Sequence, residues 1–127
     1  YYFFNKISQI DYKPVSSNKY YLTYEYFEGM SLFENINKLE FDEKLNLAVQ
    51  LCAAVKYLHL RGFLMCNINS NELYIEKKGR RNILKLAAIP YPEECDKSFI
   101  IEKDNSLFKA PELYESGRFS ISSDIYA

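Results

Sequence analysis

Between positions 41 and 61, apolar residues recur at three- and four-residue steps: Leu45, Ala48, Leu51, Cys52, Val55 and Leu58. That period predicts an amphipathic helix with those side chains on its inner face. Asp42 is the candidate N-cap. Gly62, following Arg61, stands where a helix end wants a left-handed residue. Elsewhere the pattern shortens. "KYYLTYEYF", residues 19–27, is β-branched and aromatic and reads as a strand, paired through the turn "KPVSSN" with a shorter strand at residues 7–12. Residues 28–31 break that hairpin, and Ser31 is a candidate cap for a short helix "LFENI". "ELYIEKKGRRNILKLA", residues 72–87, alternates on both sides of a charged glycine turn and predicts a second hairpin, ended by Pro90 and Pro92. Residues 93–109 have no period and read as a long loop. Two helix starts follow: "APELY", with Pro111 in the first turn, and "SISSDIYA", with Ser122 or Ser123 as cap.

A chain of 127 residues is the size of one domain, and 48% hydrophobic with 26% charged residues is ordinary globular composition. Twelve Tyr and nine Phe without Trp suit half-buried sheet surface. A net charge of −1 gives no basis for binding nucleic acid. The densest basic cluster, "KKGRR", reads as a solvated hairpin turn rather than a phosphate site. Cys52, Cys66 and Cys95 are odd in number and lack metal-ligand spacing, which points to a reducing, cytoplasmic setting. No apolar run approaches the roughly 18 residues of a membrane span, so membrane insertion is not expected. The first and last residues both read as cut from something longer.

The order of elements then becomes recognisable. "YYLTYEYFEGMSLFENI" resembles the last N-lobe strand, hinge and first C-lobe helix of protein kinases. "VKYLHLRGFLMCNINSNELYI" resembles the helix and catalytic loop that follow, where the family reads roughly Y-L-H-x-x-G-I-V-H-R-D-L-K-P-x-N-I-L-I. "ILKLAAIP" is similar to the strand leading into D-F-G. "FKAPELYESGRFSISSDIYA" resembles the A-P-E segment and the start of the central helix. Ala88 falls at the D-F-G aspartate, Glu112 lies 24 residues later, and Asp124 another 12 beyond. The resemblance implies an α+β, protein kinase-like fold present in part. Residues 1–27 would be the end of the N-lobe and the hinge, and residues 28–127 the C-lobe up to its central helix.

The resemblance also implies which chemistry is missing. The catalytic aspartate falls on Asn67, whose amide has no useful basicity. The loop lysine falls on Asn69, the metal-binding asparagine on Glu72 and the D-F-G aspartate on Ala88, which has no oxygen for magnesium. The H-R pair falls on Met65 and Cys66. Glu72 is a weak metal candidate; Glu93, Glu94 and Asp96 lie past the D-F-G place and leave too short a segment before Glu112. Tyr24, at the gatekeeper place, the hinge residues Glu25, Tyr26 and Phe27, and Leu73 beneath them mark where an adenine would sit. No cofactor is therefore expected, with ATP held without magnesium as the alternative. Ala110, Pro111, Glu112, Asp124 and His59 take structural roles. The expectation is a catalytically deficient, pseudokinase-like scaffold or regulatory module in a signalling protein. It would bind protein partners or other domains of its own chain, with residues 91–109 as a candidate partner surface. The alternatives are an atypical Ser/Thr kinase or nucleotide-dependent phosphotransferase with relocated ligands, and an unrelated α+β interaction domain.

Overall fold

The computed structural model describes residues 26–66, 68–87, 90–93 and 108–127. The expected N-terminal hairpin, Tyr24, Glu25, Asn67, Ala88 and residues 94–107 of the long loop lie outside these described residues.

The chain opens with strand β1 (Met30–Ser31) and helix α1 (Leu32–Asn35), which tightens into a 3-10 turn at Ile36–Lys38. Ser31 precedes this helix without a side-chain cap; its carbonyl instead accepts from Asn35 Nδ2 at 2.9 Å. Helix α2 (Phe41–His59) is the longest element. Its N-cap is Glu40, not Asp42: the Glu43 carboxylate reaches back to accept from the Glu40 N–H at 3.0 Å. Asp42 and Glu43 both fall in the first turn, where the helix dipole favours acids. The helix closes as the sequence predicts. Arg61 N–H donates to Leu58 and Gly62 N–H to His59, and Gly62 takes φ 73°.

The buried face of α2 is Leu47, Ala54, Val55 and Leu58, with Leu51 half-buried. Three residues of the expected inner face are therefore misplaced: Leu45 is 54% exposed, and Ala48 and Cys52 also face outward. The reason is a second apolar stripe, Phe41, Leu45, Val49 and Cys52, running beside the first at the same helical spacing. Period alone does not distinguish the two.

Strand β2 (Phe63–Leu64) follows, then the loop and a 3-10 turn at Ser70–Glu72. Strands β3 (Leu73–Lys78) and β4 (Arg81–Leu86) form the second hairpin, with register running from Leu73 opposite Leu86 to Lys78 opposite Arg81. Gly79 at φ 62° allows the two-residue connection. β1 pairs antiparallel with β3, giving the order β1-β3-β4. Pro90 and Pro92 do not simply end the hairpin. Tyr91–Pro92 forms a short strand, β5, antiparallel to β2, secured by Glu93 N–H donating to Gly62 at 2.8 Å.

Two apolar clusters join the layers. Leu47 of α2 packs with Leu73, Ile75 and Leu84; Val55 and Leu58 pack with Met65 and Ile68. Leu51 and Leu86 touch both clusters and make them continuous. Burial of each large side chain contributes about 1.5–3 kcal/mol. Polar contacts fix the docking: Gln50 accepts from Leu84 N–H and donates to the Asn82 carbonyl, both at 3.0 Å. Asn82 Nδ2 in turn donates to Glu43 at 2.8 Å.

Helix α3 (Pro111–Ser116) starts on Pro111 and ends at Gly117, φ 65°. Helix α4 (Ile121–Tyr126) is capped by Ser120, not by Ser122 or Ser123. Ser123 lies at the third helical position and accepts from the Ser120 N–H at 2.8 Å, completing a reciprocal box.

Candidate functional site

The loop between β2 and β3 is held from below by one carboxylate. Asp124, in the first turn of α4, is only 4% exposed. One of its oxygens accepts from Met65 N–H at 2.7 Å and bonds His59 Nε2 at 2.8 Å; the other accepts from Cys66 N–H at 2.8 Å. The end of α2 and the loop that follows it thus meet α4, some sixty residues on, at one side chain. Buried N–H groups need acceptors, and a carboxylate is a strong one.

The same contacts hold the loop in a bent course. Cys66 takes φ 61°, the left-handed region that non-glycine residues rarely enter. Met65 and Cys66 are buried, and Met65 belongs to the cluster of Val55 and Leu58. Asn69 then redirects the chain. Its Oδ1 accepts from Asn71 N–H at 2.9 Å, opening the 3-10 turn, and Glu72 N–H donates to the Asn69 carbonyl at 3.1 Å. The Glu72 carbonyl accepts from Ala87 N–H at 2.8 Å, tying the loop's end to the base of the hairpin.

The sequence-named residues separate into groups. Asn69 and Glu72 lie together on the loop, Asn69 buried and Glu72 half-buried. Tyr26 is 84% exposed, whereas Phe27 is half-buried with its ring edge-on to Tyr74, centroids 5.7 Å apart. Leu73 turns into the core beside Leu47 and Ile75. Side chains alternate along a strand, so Leu73 and Tyr74 face opposite sides of the hairpin. Tyr74, missed in the sequence reading, is the residue that meets Phe27, and the alternation starting at Leu73 was the available signal. Gly29 packs against the same place: a Cβ there would lie 2.8 Å from the Phe27 ring.

Beside Asp124 lies an open recess of about 240 Å³, lined by Cys66, Ile68, Lys109, Leu113 and Asp124. Much of that volume is open solvent, and the recess has room for about one water molecule. Buried Lys109 is a second residue the sequence reading missed; it lies next to Ala110, with no periodic signal around it. Among the described residues no three or more His, Cys, Asp or Glu side chains gather where a metal ion would be held. No described helix is long and apolar enough to cross a membrane.

The known proteins that the chain resembles include three kinases. It is 28% identical over 112 residues to the Serine/threonine-protein kinase RUNKEL of Arabidopsis thaliana, covering 84% of this chain and 8% of that protein. It is 26% identical over 115 residues to the Serine/threonine-protein kinase Nek1 of Mus musculus, covering 84% and 9%. It is 29% identical over 89 residues to a Dual serine/threonine and tyrosine protein kinase of Gallus gallus, covering 70% and 9%. The chain therefore spans less than a tenth of the length of each of these relatives. No family model matches the sequence, and no solved structure matches the fold. The mixed α/β architecture with its small antiparallel sheet is compatible with part of a kinase-like domain, and the three matches support a kinase-like relationship for the chain.

Proposed function

We propose that the chain is part of a catalytically deficient kinase-like domain that acts by binding, as a regulatory or scaffold module of a larger signalling protein. The observation that carries this reading is the contrast within one loop. Its backbone is firmly positioned by Asp124 through Met65 and Cys66. Its polar side chains are the wrong kind for phosphoryl transfer.

That reaction needs a base at the substrate hydroxyl and oxygens for the magnesium ions that neutralise phosphate charge. By the resemblance, the base position is Asn67, an amide. The two metal positions are Glu72 and Ala88. Only one of them offers a carboxylate, and the donor set does not fit a two-ion magnesium site. Asn69, at the lysine position, uses its side-chain oxygen to cap Asn71 rather than offering a cation. What the chain's own residues do is hold a loop of fixed shape beside α3 and α4. A shaped, inert surface of that kind suits recognition by a protein partner or a neighbouring domain.

The test is thermal denaturation of the full-length protein with ATP, with and without magnesium, alongside transfer of label from γ-labelled ATP. The expected result is no magnesium-dependent stabilisation and no transfer. Stabilisation that requires magnesium, together with transfer, would overturn the reading and favour an atypical kinase with relocated ligands. Stabilisation by ATP alone is the expected signature of nucleotide held without chemistry.

A further inference from the structure

The tip of the β3–β4 hairpin is a concentration of positive charge that folding does not account for. Lys77, Lys78, Arg80 and Arg81 are all exposed around Gly79. Lys78 and Arg81 stand directly opposite one another in the register, and like charges so placed destabilise a hairpin. The nearest acid on the hairpin, Glu76, is shared between Lys78 at 3.3 Å and Lys85 at 3.5 Å. Glu43 comes near on α2, but it is engaged with Asn82 and the Glu40 N–H. Among the described residues, Lys77, Arg80 and Arg81 form no ion pair.

The rest of the molecule has the opposite character. The whole chain carries a net −1, so with these four cations set aside the remainder is net negative by five. An extended anionic surface such as a bilayer or a nucleic acid would face that negative remainder as well as the tip. A short acidic strand of polypeptide is no longer than the tip and would meet its cations alone. The cations lie within roughly 10 Å along the strands, the reach of three or four extended residues. We infer that the β3–β4 tip docks a short acidic segment of a partner protein. The inference rests on the charge of the hairpin and not on the chemistry of the loop at Asp124.

The test uses a fluorescein-labelled peptide of alternating Glu and Ser, followed by anisotropy. Binding is expected to weaken steeply between about 0.02 and 0.5 M salt, as the screening length shortens. The triple variant Lys77→Glu, Arg80→Glu, Arg81→Glu is expected to bind at least tenfold more weakly. Equal binding by the triple variant would overturn the proposal. Tighter binding of phosphatidylserine vesicles or of polyuridylate than of the peptide would also overturn it, in favour of those surfaces. Arg81→Glu alone places opposite charges across the register and is expected to leave the melting temperature unchanged or raise it. A clear fall would show that the tip cations serve the fold, and would remove the argument.

Discussion

Replacing Asp124 with asparagine changes one atom and leaves the side chain's shape intact, so its effect isolates hydrogen bonding from packing. The carboxylate serves three donors: Met65 N–H at 2.7 Å, Cys66 N–H at 2.8 Å and His59 Nε2 at 2.8 Å. An amide offers one oxygen and one NH₂. With the oxygen kept on Cys66, the NH₂ confronts the Met65 N–H, donor against donor, while His59 adapts by changing tautomer. One buried N–H is then left unpaired, costing about 1–3 kcal/mol, and the bond that remains loses its ionic strengthening, about 1 kcal/mol more. The expected loss is about 2–4 kcal/mol for Asp124→Asn, and Asp124→Ala, which orphans both N–H groups, should cost about 3–5 kcal/mol. With a urea m-value of about 2 kcal/mol/M, the midpoint for Asp124→Asn should fall by roughly 1–2 M. A second readout is local. In a Cys52→Ser, Cys95→Ser background, the buried Cys66 thiol should react faster with a disulfide reagent once the loop is released. A midpoint within about 0.3 M of the parent would refute the reasoning, because the uncertainty of such measurements is smaller than the expected shift.

Three other outcomes are expected. Gln50→Ala should cost about 1–3 kcal/mol and speed hydrogen exchange at the Leu84 amide, whose acceptor it removes; unchanged protection at Leu84 would refute the contact. Gly62→Ala meets no atom within 4 Å, so its expected penalty of about 1–2 kcal/mol comes from φ 73° alone, and Gly62→Asn should lower the melting temperature less. Restoring aspartate at both Asn67 and Ala88 should still give no transfer from γ-labelled ATP, and measurable transfer would mean that only those two residues had been lost.

What the chain made legible was its local chemistry. The β3–β4 hairpin, the span of α2, the left-handed Gly62 and the start of α3 on Pro111 each follow from a few adjacent residues. Caps were harder, because several polar residues compete within one turn: Glu40 prevailed over Asp42, and Ser120 over Ser122 and Ser123. The inner face of α2 was ambiguous, since Phe41, Leu45, Val49 and Cys52 repeat as regularly as the residues that are buried. The contacts of Asp124 cross 58 to 65 residues of chain, where periodicity carries no information. Resemblance alone implied that Asp124 is structural, and the geometry shows that it holds the loop at Met65 and Cys66.

The side chain of Gln50 has a consequence for behaviour in concentrated solution. Among the described strands β4 is an outer one, and an outer strand's free N–H and C=O groups are a template on which another chain's strand can add. Gln50 occupies two such groups, at Asn82 and Leu84, in the middle of that edge. Self-association through β4 therefore requires α2 to lift first, while the hairpin itself stays intact. Aggregation of this chain should track the docking of a helix, and a Gln50 variant should aggregate at temperatures where its sheet is still folded.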